Sequence, residues 1–106
     1  MAVNVLMKRT PKSGSLNKLN SVLQELRRLA ISQPGYISGE TLLSASNGGT
    51  TLVISRWMSL QHWQEYENSP ERRELLEKLE PLLEEPATTE VYAETAAGGM
   101  PDAEQL

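Results

Sequence analysis

Residues 36–57 read YISGETLLSASNGGTTLVISRW, and the architecture turns on them. Tyr36 to Ser46 and Thr50 to Trp57 are two β-prone runs on either side of Asn47-Gly48-Gly49. That tripeptide supplies the positive φ angles a tight hairpin requires. The stretch is therefore predicted to be two neighbouring antiparallel strands. Just before it, Gln33-Pro34-Gly35 marks the end of a helix, because proline cannot continue one and glycine turns easily. That helix starts after Ser15, a candidate cap. Leu16, Leu19, Leu23, Leu26 and Ala30 recur at three- and four-residue steps, which makes one apolar stripe over about five turns. Earlier still, Val3, Val5 and Met7 alternate with Asn4, Leu6 and Lys8, a strand period that Pro11 and Gly14 end.

On the other side of the hairpin, Ser59 is placed to cap a short helix, Leu60 to Tyr66. Ser69-Pro70-Glu71 opens a longer one with a cap, a proline at the first position and an acid near the positive end of the dipole. Leu75, Leu76, Leu79, Leu82 and Leu83 share a face of that helix, and Pro81 should kink or end it near Glu80. Thr88 to Glu94 is the last strand. The order is strand, helix, strand, strand, helix, strand, which predicts an α+β, ferredoxin-like β-α-β-β-α-β antiparallel sheet with its helices on one face. Residues 1–94 form that domain. Residues 95–106, with Gly98-Gly99 and Pro101, have little to bury and are expected to be a disordered tail.

Simple alternation puts Leu52, Ile54 and Arg56 on one side of the third strand and Val53 and Trp57 on the other. On the second strand it groups Ile37 with Leu43, and Tyr36 with Leu42. Both sheet faces then need cover. Helices cover one, and a second copy of the sheet would cover the other, so a homodimer is expected.

The whole chain of 106 residues carries 10 Lys and Arg against 14 Asp and Glu, a formal net charge of −4. Asp102 and Glu104 place part of that in the tail. A weakly acidic body is a poor partner for phosphate backbones, so nucleic-acid binding is not expected. With no cysteine and a single histidine, thiolate metal sites and cysteine nucleophiles are excluded, and a multi-histidine site would need a second subunit. No apolar run approaches the roughly 20 residues of a membrane span, and no signal-peptide pattern is present. A soluble cytoplasmic protein with no membrane partner is the expectation.

Several short motifs add to this frame. Val5-Leu6-Met7-Lys8-Arg9 lies on the first strand, and Gln33-Pro34-Gly35-Tyr36 leads into the second. Trp57 closes the third, followed by Ser59-Leu60-Gln61-His62-Trp63, and Ser69-Pro70-Glu71-Arg72 opens the long helix. In order and spacing these resemble the antibiotic biosynthesis monooxygenase (ABM) domain family over roughly Val3 to Glu94. The resemblance implies a dimeric α+β barrel built from two ferredoxin-like subunits. It also implies, for some members, oxidation of small aromatic or quinol-type molecules by O2 with neither metal nor organic cofactor. Others degrade haem, and many have no assigned activity. The haem branch carries its axial histidine on the long helix, where this chain has Leu75-Leu76, so haem degradation is not expected. Asn4 could stand for that branch's first-strand asparagine, but its offset from Gly14 does not match.

Trp57 matches the tryptophan that the family places at the end of the third strand, lining a cleft. It can stack an aromatic substrate and donate one N–H, or it can simply fill the end of the core. His62 is the one side chain that titrates unperturbed near neutral pH, which makes it the candidate general base. Adjacent to Trp63 on a short helix, it cannot share that residue's face, and a solvent-facing histidine is the competing reading. Tyr66 could present its phenol to a ligand, as could Tyr36 and Tyr92, although tyrosines at element ends are also ordinary edge residues. Asn4, Ser55 and Arg56 add polar contacts. Arg56 could hold a carboxylate or phenolate, or serve as a salt-bridge partner. Glu71, Glu74, Glu77, Glu80, Glu84 and Glu85 read as a solvated helix face, so no metal site is expected. Catalytic roles fall to His62, Trp57 and Tyr66, and substrate contacts to Asn4, Tyr36, Arg56 and Tyr92. The alternative is a non-catalytic dimeric module binding a small molecule or a partner.

Overall fold

A computed structural model describes residues 1–95, so the predicted tail lies, apart from Thr95, outside the described residues. The elements are β1 (Val3–Arg9), α1 (Leu16–Ile31), β2 (Tyr36–Leu43), β3 (Thr51–Trp57), α2 (Leu60–Glu67), α3 (Pro70–Leu79) and β4 (Thr88–Ala93), with a 3-10 turn at Glu80–Leu82. The strands form one antiparallel sheet in the order β2-β3-β1-β4. The helices lie on one face of it, as the ferredoxin-like reading requires.

Register explains which side chains meet the helices. Val3, Val5, Met7 and Arg9 of β1 are all buried, and they stand opposite Trp57, Ser55, Val53 and Thr51 of β3. Asn4, Leu6 and Lys8 stand opposite Arg56, Ile54 and Leu52 on the face the helices leave open. β2 departs from simple alternation. A register shift between Tyr36 and Ser38 puts Tyr36 opposite Trp57 but Leu42 opposite Leu52. One extra residue reverses the phase of everything beyond it. Tyr36 therefore faces the helices and Leu42 the open side, whereas period-two counting pairs them.

The turn is also wider than predicted. β2 stops at Leu43, because the Ser44 hydroxyl accepts the backbone N–H groups of Ser46 and Asn47 (3.3 and 3.0 Å) and bends the chain away from the ladder. Of Asn47, Gly48 and Gly49, only Gly49 has positive φ, at 85°. The helix starts follow their caps: the Ser59 and Ser69 hydroxyls accept the backbone N–H of His62 and of Arg72. Ser15 sits at the cap position of α1 without a side-chain bond.

The apolar side chains gather in two clusters. Val3, Val5, Met7, Trp57, Trp63 and Tyr66 pack under α2, while Leu19, Leu79 and Leu83 join α1 to the end of α3. In the α1 stripe Leu19 and Leu26 are buried but Leu16 is exposed. Leu23 and Leu26 face a space in the core, which is the candidate site.

Candidate functional site

A cavity of about 250 Å³ lies between α1 and the helix-side face of β2 and β3. Leu23, Leu26 and Ala30 of α1 form one wall, and Tyr36, Trp57, Trp63 and Tyr66 border the other side. The rings hold one another in place. Trp57 stacks on Tyr66 with centroids 5.1 Å apart and planes at 22°, and Tyr36 meets Trp57 edge-on at 5.4 Å. Such geometries suit the ring quadrupoles and stiffen the wall. A Cβ on Gly39 would lie 2.6 Å from the Tyr36 hydroxyl oxygen, so the missing side chain is what lets that phenol lie across the strand.

Trp57 borders the cavity, yet its relative exposure is 0%. Its indole N–H donates to the Ser55 hydroxyl at 3.0 Å. Tyr66 is buried and donates its hydroxyl to the Leu26 carbonyl at 3.2 Å. Burial pushes this phenol's pKa up, while the neighbouring Arg72 and Arg9 charges oppose the shift. Protonated and already donating, Tyr66 is a positioned polar group rather than a base.

Two arginines that the site assignment passed over also line the cavity. Arg9 is 4% exposed and Arg72 is 5% exposed. The Nη2 groups of both donate to one atom, Met7 Sδ, each at 3.5 Å. Arg72 also donates to the Glu67 carbonyl at 3.4 Å, and it lies over the rings of Trp63 and Tyr66 at 5.4 and 5.5 Å. Arg9 Nε is buried without a hydrogen-bond partner. Burial first, and the Arg72 charge second, lower the Arg9 pKa to about 10. A signal for both was present in the pattern. Arg9 shares the parity of Val3, Val5 and Met7, and Arg72 precedes Leu76, Leu79 and Leu83 by four, seven and eleven residues, on one helical face.

The predicted site residues divide between locations. Trp57, Tyr66 and Tyr36 meet at the cavity, whereas His62 is not among the residues that line it. His62 is half-buried at the start of α2, with its ring Nδ1 2.6 Å from the Ser59 hydroxyl and its ring against Gly35. Asn4 and Arg56 are on the open face of the sheet, at the far side from the cavity. Both bond Glu94: Asn4 Nδ2 donates at 2.9 Å, and the Arg56 guanidinium makes a two-point ion pair. The Arg56 bonds hold the Glu94 carboxyl below its ordinary range. Tyr92 is exposed on β4 and donates to Glu90, which raises its phenol pKa. Among the described residues, no group of three His, Asp or Glu side chains is placed to hold a metal ion, and no helix is long and apolar enough to cross a membrane.

A four-stranded antiparallel sheet with an aromatic-walled cavity beneath its helices defines a small α+β domain of ferredoxin-like type. Residues 2–78 match the model of the antibiotic biosynthesis monooxygenase family, and the chain belongs to that family. Three solved structures show how far the likeness extends. SnoaB, a cofactor-independent oxygenase from Streptomyces nogalater, is 15% identical with a TM-score of 0.78, covering 87% of this chain and 91% of its own. Rv0793 from Mycobacterium tuberculosis is 20% identical with a TM-score of 0.80, covering 97% and 99%. A conserved protein from Methanosarcina mazei is 15% identical with a TM-score of 0.81, covering 87% and 91%. At such identities the likeness is one of fold. A comparison with curated protein sequences found no match.

Proposed function

We propose that the protein is a monooxygenase of the ABM type that oxidises a small aromatic or quinol-like compound with O2, drawing the electrons from the substrate. The observation that carries this reading is the cavity itself. It is closed on one side by α1, it is walled by Tyr36, Trp63 and Tyr66 with Trp57 behind them, and it has polar groups converging inside an apolar shell. An engineered cavity of about 150 Å³ holds one benzene, so 250 Å³ suits one or two rings. The atoms balance without a further reductant: a diaryl CH2 becomes a carbonyl, and the second oxygen atom leaves as water with the two hydrogens. In this reading Trp57, Tyr36 and Tyr66 orient the ring, and the Tyr66 hydroxyl redirects its hydrogen from the Leu26 carbonyl to an oxygen of the substrate. Oxygen-electrode measurements with a panel of anthrones and quinols test it. Uptake that scales with enzyme and falls at least tenfold in Tyr66→Phe is expected. Uptake no faster than in buffer across the panel would leave the protein a binding module.

A homodimer formed through the open face belongs to the same proposal. Leu6, Ile54, Leu52 and Leu42 are in register across three strands there, with no helix above them. A second copy of the same face is the self-complementary cover. Sedimentation at micromolar concentration is expected to give twice the 11.8 kDa chain mass. Leu52→Glu, which sets a carboxylate in the middle of that stripe, is expected to give monomer. A monomeric parent protein would sink the interface.

A further inference from the structure

We propose that the cavity takes its ligand as an anion, a small aromatic bearing a carboxylate or an ionised hydroxyl, held between Arg9 and Arg72. This rests on the reading of the cavity as a site for aromatic molecules, and it specifies the charge that such a molecule carries.

The argument starts from an imbalance. Lys and Arg are almost never fully buried unless paired, and a buried cation left without an anion is costly. Two buried guanidiniums line this cavity, and among the described residues the one ion pair within 4.0 Å is that of Arg56 with Glu94, on the opposite face of the sheet. Glu40 lines this same cavity, and Glu67, Glu80, Glu84 and Glu85 border a second one that Arg72 also lines, but none comes within that distance of either arginine. What the two cations share is Met7 Sδ, a weak acceptor that carries no charge.

Two observations aim the pair at a ligand. Arg9, which lines the cavity, has a buried Nε without a hydrogen-bond partner. Arg72 is held against the rings of Trp63 and Tyr66, 5.4 and 5.5 Å from their centroids, so its position does not depend on a counter-ion. Planar guanidiniums match a carboxylate or phenolate oxygen in geometry as well as charge. The lowered pKa of Arg9 is the same imbalance seen from the proton's side.

The consequence for the proposed chemistry is direct. A phenolate or enolate is the electron-rich form that gives an electron to O2, and two fixed cations favour that form over the neutral phenol. The protein would then need no strong base inside the cavity. The proton would leave to solvent, and the charge would remain between the arginines.

Calorimetric titration of the intact protein with benzoate and with benzamide at neutral pH tests this, because the two differ little in shape. Benzoate is expected to bind at least tenfold more tightly. Arg9→Gln is expected to bring the ratio below threefold, and Arg9→Lys to restore part of it. In the same site para-nitrophenol, whose ionised form is coloured, is expected to show an apparent pKa lowered by about one unit, a tenfold effect. Benzoate preferred without any shift in para-nitrophenol would assign the site to carboxylates, and the converse to phenolates. Equal binding of benzoate and benzamide together with no shift in para-nitrophenol would overturn the anion proposal and leave the aromatic cavity standing. Binding of neither at millimolar concentration would overturn both. The comparison in the parent protein holds even if the Arg9 variants do not fold.

Discussion

Trp57→Ala is expected to cost about 3–5 kcal/mol, the range for removing a large buried aromatic ring. A domain of this size has roughly 5–15 kcal/mol in all, so the variant should lose a large fraction of its stability. The cost belongs at the upper end, because the surroundings have little means of collapsing. Trp57 is on β3, which is paired on one side with β1 and on the other with β2, so the backbone cannot move into the hole. The ring is fully buried and packs with three other aromatic rings, Tyr36, Trp63 and Tyr66. Its loss would also join the space it leaves to the existing cavity. Trp57→Phe retains most of the ring area and should cost about 1–2 kcal/mol, within the range for imperfect repacking. Urea unfolding followed by far-ultraviolet circular dichroism measures both, since fluorescence would change with the deleted indole. A loss below about 1 kcal/mol in the alanine variant would mean that the ring is not what holds the sheet to α2.

Gly35→Ala is the second large effect, and it has two separable causes. Gly35 has φ of +84°, where a side chain costs about 1–2 kcal/mol. A Cβ there would also lie 2.3 Å from His62 Cγ and 2.5 Å from its Cβ and Cδ2. The imidazole has little freedom to retreat. It is on the first turn of α2, and its Nδ1 is 2.6 Å from the same Ser59 hydroxyl that caps the helix. Overpacking of this kind adds about 1–3 kcal/mol. A double-mutant cycle separates the two parts. In a His62→Gly background all three overlapping atoms are gone, Cβ included, and Gly35→Ala should then cost only the backbone share. If the alanine at 35 costs the same in both backgrounds, the contact with His62 has no energetic weight. The cycle also bears on the histidine itself, whose packing against Gly35 gives it a structural role wherever its proton goes.

The residues differ in how much of this could be read along the chain. The caps at Ser59 and Ser69, the proline that opens α3, the stop at Gln33-Pro34-Gly35 and the strand–helix order were all legible, because each depends on neighbours within a turn. Arg9 was legible in principle. Its parity with Val3, Val5 and Met7 puts a charge on the buried side of β1, and a charge at an inward position asks for a partner. The position of Tyr36 was not legible: a single extra residue near Ser38 reverses which β2 side chains face the helices, and only pairing with β3 reveals it.

Local order, then, was written into the sequence: four strands and their helices follow from periodicity, capping and glycine and proline chemistry, although the turn after β2 is wider than its glycines foretell. The family resemblance rested on the same short motifs and covers the same elements. The grouping at the site came from tertiary structure. Tyr36, Trp57 and Tyr66 meet at the cavity, while Asn4 and Arg56 join Glu94 on the opposite face. Arg9 and Arg72, 63 positions apart, converge on one sulfur atom. Periodicity assigns a side chain to a face of its own element. Which faces meet, and which charges are left without a partner between them, depends on strand register and on helices packed from distant parts of the chain.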